Sequence, residues 1–172
     1  GAGLADVVTT DEGPVAVGES GTVVRRAPGA DWATVDADGP AGSNGLTAVA
    51  ASADGAHVWF VGSSGAIARL RVATGDVRDY SAPGGRTSTW EAVTVVGPSP
   101  NERVFVANGS GELLVARLSG RRATWEGPVK PTGGNNAVAL TDAGGAVFLA
   151  SQNGLARRAN GRWTRIDGPG AS

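Results

Sequence analysis

His57 is the only histidine in this 172-residue chain, and there is no cysteine. Disulfides, thiolate nucleophiles and zinc–thiolate sites are therefore excluded. A Ser-His-Asp relay would have to run through that single imidazole. The Gly-x-Ser-x-Gly elbow that such a relay uses does not occur, and Gly109-Ser110-Gly111 reads instead as a hairpin turn. His57 stands at the start of an apolar stretch, so it is expected to be structural or exposed rather than catalytic.

The carboxylates Asp36, Asp79, Glu126 and Asp167 fall near the ends of predicted strands. Acids in such places ordinarily solvate a loop or bond nearby backbone, and a ring of them around a cation is the rarer use. Asp36-Ala37-Asp38-Gly39 is too short for a calcium loop and lacks its closing Glu. No catalytic, cofactor-binding or metal-binding residue is assigned, and no cofactor is expected. The arginines carry more information, making up fourteen of the fifteen basic residues. Arg25, Arg69 and Arg158 each stand four residues after a turn glycine, while Val115 breaks the series. They read either as strand positions whose stems cover apolar neighbours or as a partner-binding stripe for acidic groups. Asn108-Gly109-Ser110 is an N-x-S sequon on a predicted exposed turn, which makes Asn108 a glycosylation candidate.

The elements that must position these residues follow from a repeat. An apolar strand, a polar turn, a second apolar strand, a turn closing on Gly and an Arg-rich third strand recur four times. The copies begin at Leu4, Leu46, Trp90 and Asn136. The turn glycines Gly21, Gly65, Gly111 and Gly154 lie 44, 46 and 43 residues apart. The second strand is richest in β-formers: Val15-Ala16-Val17, Val58-Trp59-Phe60-Val61, Val104-Phe105-Val106 and Val147-Phe148-Leu149. A weaker fourth strand reads Trp32-x-x-Val35, Val77-x-x-Tyr80, Trp125 and Trp163-x-x-Ile166. Nothing has apolar residues at helical spacing.

Four short antiparallel strands per repeat of this length predict an all-β propeller of four four-stranded blades, either a closed four-blade ring or part of a larger propeller. The blades are expected over about 4–45, 46–89, 90–135 and 136–169 of one repeat domain. A β-solenoid has shorter coils and a two-sheet sandwich needs no repeat. The five Trp residues are expected to wedge between blades, with Trp59 and Phe60 on opposite faces.

A formal net charge of −1 gives no field for gathering nucleic acid, and no apolar run is long enough to span a membrane. Neither partner is expected. The chain opens Gly1-Ala2-Gly3 and has no Met, which reads as a processed product or a piece of something longer.

The segment Val15–Val35, VAVGESGTVVRRAPGADWATV, resembles the BNR-like repeats of photosystem-assembly-factor-like bacterial propeller proteins. Val58–Leu70 and Ala146–Ile166 carry weaker copies of the same pattern. The resemblance implies a blade type rather than an activity. Sialidases of similar blade type use a Tyr nucleophile, an Arg cluster and an acid. Tyr80, the only tyrosine, occupies the place of Val35 and Ile166 and is expected to pack. Ser-x-Asp-x-Gly-x-Thr-Trp, the Asp-box, is intact nowhere in the chain.

The expected function is a non-enzymatic binding or assembly scaffold that presents its rim loops to a protein or glycan. Asp36–Gly45, Ser81–Thr89 and Gly127–Asn135 are the loops indicated. A carbohydrate-active propeller, glycosidase- or lyase-like, is the alternative. An extracytoplasmic or secreted location is expected, as is either a homodimer or further blades from a longer parent chain.

Overall fold

Each run of β-branched and aromatic residues becomes a strand, and each Gly-rich break becomes a turn. The computed structural model describes residues 3–81, 86–133 and 136–166. Blade 1 holds β1 (Leu4–Thr10), β2 (Gly13–Gly18), β3 (Val23–Arg26) and β4 (Trp32–Thr34). Blade 2 holds β5 (Leu46–Ala51), β6 (His57–Gly62), β7 (Ile67–Arg71) and β8 (Val77–Asp79). Blade 3 holds β9 (Trp90–Val96), β10 (Arg103–Asn108), β11 (Leu113–Ser119) and β12 (Arg122–Val129). Blade 4 holds β13 (Ala137–Ala143), β14 (Ala146–Ser151), β15 (Gly154–Ala159) and β16 (Arg162–Ile166). Every sheet is an antiparallel meander whose strands pair in sequence order. The fold is thus all-β and of propeller type. Helical backbone among the described residues is confined to short 3₁₀ turns.

Successive side chains on a strand point to opposite faces, and in these blades both faces are apolar. Trp59 packs toward blade 3 with Tyr80, Trp90, Val93 and Val106. Its neighbour Phe60 packs toward blade 1 with Val15, Val17 and Val23. Both rings are fully buried. We call the face toward the preceding blade the front and the face toward the following blade the back. Blade 3 repeats the scheme, turning the back-face residues Phe105, Ala107 and Leu113 against Val147 and Leu149 of blade 4.

The first strands of successive blades lie side by side, β1 against β5, β5 against β9 and β9 against β13. Among the described residues β13 does not pack against β1 in this way. The blades therefore form an arc, and the front of blade 1 and the back of blade 4 are left without a neighbouring blade. Leu4 and Val7 are each 60% exposed on β1.

The tryptophans follow the same geometry. Trp59 and Trp90 are fully buried, and Trp125 and Trp163 are half-buried at their seams. Trp32 is 49% exposed, unlike the wedge expected of it. It pairs with Arg26 on the front of blade 1, where no blade precedes it.

Glycine is required at two places in the Val-Gly-x-x-Gly phrase. A Cβ at Gly62 would meet the Gly45 carbonyl oxygen at 2.2 Å, and one at Gly65 (φ +76°) would meet that of Arg86 at 1.9 Å. Ser64 (φ 56°) and Gly65 both have positive φ, and Ala66 N–H donates to the Ser63 carbonyl. That geometry closes the tight hairpin. Blade 4 departs from it. Gly154 pairs directly with Ser151, so its turn is one residue shorter, and Leu155 rather than the next residue stands where Ile67 stands in blade 2.

Truncating either face of blade 2 tests the seams. Trp59→Ala and Phe60→Ala should each lower unfolding free energy by about 3–5 kcal/mol in chemical denaturation, as large core deletions do. A loss below about 1 kcal/mol, the range of surface substitutions, would show that the ring is not buried in a seam.

Candidate functional site

Each strand pair has two ends, and most of the arginines lie toward one of them, Arg86 and Arg165 standing at the other. The turns joining first to second strands and third to fourth strands lie together at the arginine-rich end. On the back of blade 2, β6 and β7 place His57 opposite Arg71 and Trp59 opposite Arg69, and β8 adds Arg78 opposite Arg69. Across the seam, blade 3 contributes Ser99, Pro100 and Arg121, and the two blades bound a cleft of about 570 Å³. Arg71, Arg78 and Arg121 are exposed on its walls, with Asp76 the one carboxylate among the lining residues.

The cleft floor is built around an ion pair. Arg69 Nη2 donates to both carboxylate oxygens of Glu102 at 2.7 Å and to Ser99 Oγ at 3.0 Å. Glu102 is fully buried, and Arg69 is 8% exposed. The guanidinium also lies 5.7 Å from the Trp59 ring centre, and Trp59 in turn packs against Tyr80 with centroids 4.9 Å apart. Tyr80 is buried and fills the seam, as its place in the repeat predicted. Asp54 ties the same end together by accepting from Ser52 Oγ and from the Ser99 N–H.

His57 Nδ1 lies 3.7 Å from Glu102 Oε1 and makes no hydrogen bond among the described residues. Burial, and then the positive charge of Arg69, push its pKa down to about 4. The ring is neutral near pH 7: Glu102 beside it is already held by Arg69, and the charge of Asp54 offsets the shift only in part.

A smaller cleft of about 270 Å³ opens at the same end of the seam between blades 3 and 4. Arg103 and Arg158 line it, with the Arg158 guanidinium 5.3 Å from the Phe105 ring centre. Burial, and then Arg103 and Arg117, push the Arg158 pKa below the usual arginine value.

The stripe expected from Arg25, Arg69 and Arg158 is not a single row. Arg25 and Arg69 stand in register, opposite Val15 and Trp59, on the backs of blades 1 and 2. Arg25 reaches the Val72 carbonyl of blade 2 as Arg69 reaches Glu102 of blade 3. Arg158 lies on the front of blade 4, because the shorter turn shifts counting from Gly154 by one residue. A one-residue slip moves a side chain to the other face. Arg157, opposite Phe148, holds the register position of Arg25 and Arg69.

Asn108 is also placed differently from the exposed turn expected of it. It is 2% exposed, its Nδ2 donates to Glu112 Oε2, and its Oδ1 accepts from the N–H groups of Ser110 and Glu112. It stands where blades 1 and 2 have Gly18 and Gly62 and braces the turn with its side chain. The folded chain leaves no room there for a glycan.

Among the carboxylates, Asp79 accepts from Ser81, Glu126 from Arg117 at 2.7 Å, and Asp36 is exposed. Asp167 lies outside the described residues. Among the described residues no three His, Asp or Glu side chains gather as a metal site would require. The loop at Asp36–Gly45 lies at the opposite end from the clefts, where Gly21 N–H donates to the Asn44 carbonyl. Ser81–Thr89 and Gly127–Asn135 lead into first strands at that same end, and residues 82–85 and 134–135 of them lie outside the described residues.

No family model and no curated protein sequence matches the chain. Solved structures do resemble its fold. U3-55K superposes with a TM-score of 0.72 at 11% identity, covering 91% of this chain and 48% of that one. YCF48 from Cyanidioschyzon merolae gives 0.64 at 16% identity, covering 95% and 56%. The computationally designed Ika4 protein gives 0.66 at 15% identity, covering 96% and 92%. The chain thus spans about half the length of the first two, and the likeness supports a β-propeller fold.

The buried imidazole gives a pH signature. Because its pKa falls from 6.5 to about 4 on folding, the unfolded chain takes up a proton first as pH drops. The contribution of His57 should therefore be full above about pH 6.5 and fall away between there and pH 4. His57→Gln should flatten that part of the stability profile measured by urea melts. An unchanged slope would place the titration elsewhere.

Proposed function

We propose that this chain is a non-enzymatic binding scaffold that holds an acidic segment of a partner protein in the cleft between blades 2 and 3. One observation carries the reading: Arg71, Arg78 and Arg121 line a single cleft in which Asp76 is the one lining carboxylate, while the fourth lining arginine, Arg69, is taken up by the buried Glu102. Three exposed guanidiniums facing one space favour carboxylates, which they bind in paired, charge-assisted hydrogen bonds. The second arginine cleft at the same end extends the surface across blade 3. Tyr80, buried against Trp59, is occupied in packing, which favours binding over a sialidase-like reaction. Kinship with BNR-like blades belongs to the same reading, supported by the glycine and arginine pattern of Val15–Arg26.

A fluorescent glutamate-rich peptide tests this directly. It should bind more weakly as salt rises, because exposed charge pairs are screened. Arg71→Ala or Arg121→Ala should each weaken binding about tenfold, the equivalent of one charged hydrogen bond. Binding unaffected by these changes would contradict the proposal, and turnover of a glycan would replace it with the carbohydrate-active alternative.

A further inference from the structure

The two uncovered end faces match the halves of a seam. On the front of blade 1, Val7, Ala16 and Val24 stand in the register positions of Val49, Phe60 and Ala68 in blade 2. In blades 2 to 4 such positions pack against the blade before. Trp32 likewise stands where Trp125 and Trp163 stand, half-buried under a preceding blade, yet here it is exposed. On the back of blade 4, Phe148, Ala150 and Leu155 stand where Trp59, Val61 and Ile67 stand in blade 2. Those three are buried against blade 3.

Charge completes the match. In the seam between blades 2 and 3, Arg69 on a back face meets Glu102, the residue immediately before β10 of the next blade. The register equivalent of Arg69 on blade 4 is Arg157, which is exposed. The residue immediately before β2, in the place of Glu102, is Glu12, also exposed. Of the four residues preceding second strands, only Glu12 and Glu102 are acidic, the others being Ala56 and Gly145. Each end of the arc thus carries one partner of a pair already formed inside it.

We propose that two copies of this chain join head to tail, the back of blade 4 in each against the front of blade 1 in the other, to close an eight-blade ring. The contact between copies then repeats an internal seam, with Arg157 against Glu12 of the second copy. The open arc leaves room for a second copy: β13 does not pack against β1 within one copy as successive first strands do, and two four-blade arcs make eight blades. A heterologous contact of this kind closes into a ring when its rotation fits and otherwise grows into filaments.

Sedimentation equilibrium of the 172-residue chain should give twice 17.1 kDa. Arg157→Glu and Glu12→Arg should each raise the dissociation constant about tenfold or more, since like charges would then face each other across the contact. Val7→Lys, on the apolar part of the face, should do the same. Mixing Arg157→Glu with Glu12→Arg should restore the dimer, because unlike copies regain an Arg–Glu pair at both contacts. A chain that stays monomeric at all concentrations, growth beyond two copies, or a mixture no better associated than its components would overturn the proposal.

Discussion

A sheet with apolar side chains on both faces cannot rest beside water on either one, and this constraint organises the chain. Each blade has only 20–28 residues in strands, too few to enclose a core. Stability therefore resides between blades, where Phe60 meets Val15 and Val17, Trp59 meets Val93 and Val106, and Phe105 meets Leu149. The smallest unit that makes sense energetically is a seam. An arc of four blades has three seams and two exposed half-seams, so the apolar end faces come from the same repetition that builds the core.

The seams also explain where charge gathers. Near the line where first strands touch, the space between blades is filled by Val, Ala and Trp. Toward the third and fourth strands and the turn end, arginine stems line the gap and leave their heads at its mouth. Arg69 and Arg158 are buried deeper, their guanidiniums over the Trp59 and Phe105 rings. Arg69 is committed to Glu102, whereas Arg71, Arg78 and Arg121 sit at the mouth with their heads exposed. An ion pair as buried as Arg69–Glu102 stabilises little by itself but is costly to break, and it fixes how the two blades meet.

The fold was legible because its signals are local and repeated. Strand propensity, turn glycines and a constant period each recur four times, and Trp59-Phe60 announces a two-faced strand. The site was less legible because it depends on register between strands. Counting from glycines placed Arg158 with Arg69, but the turn before β15 is one residue shorter and reverses the face. Asn108 looked like an exposed sequon because nothing local shows that it replaces Gly18 and Gly62 as a turn brace. Arg71, Arg78 and Arg121 come from different strands and blades, and only the packing of blade 2 on blade 3 brings them to one cleft. Glu102 had one readable sign, its position just before a second strand, which it shares with Glu12.

The claim that seams rather than blades hold the fold is tested most directly by native-state amide hydrogen exchange, followed strand by strand at a concentration where the chain is monomeric. Strands β6 and β10 have a neighbouring blade on both faces, whereas β2 and β14 have one on a single face. The account predicts the slowest exchange in β6 and β10 and clearly faster exchange in β2 and β14, because opening free energy follows buried contacts. Equal protection in all four strands, or slowest exchange in the end blades, would contradict it.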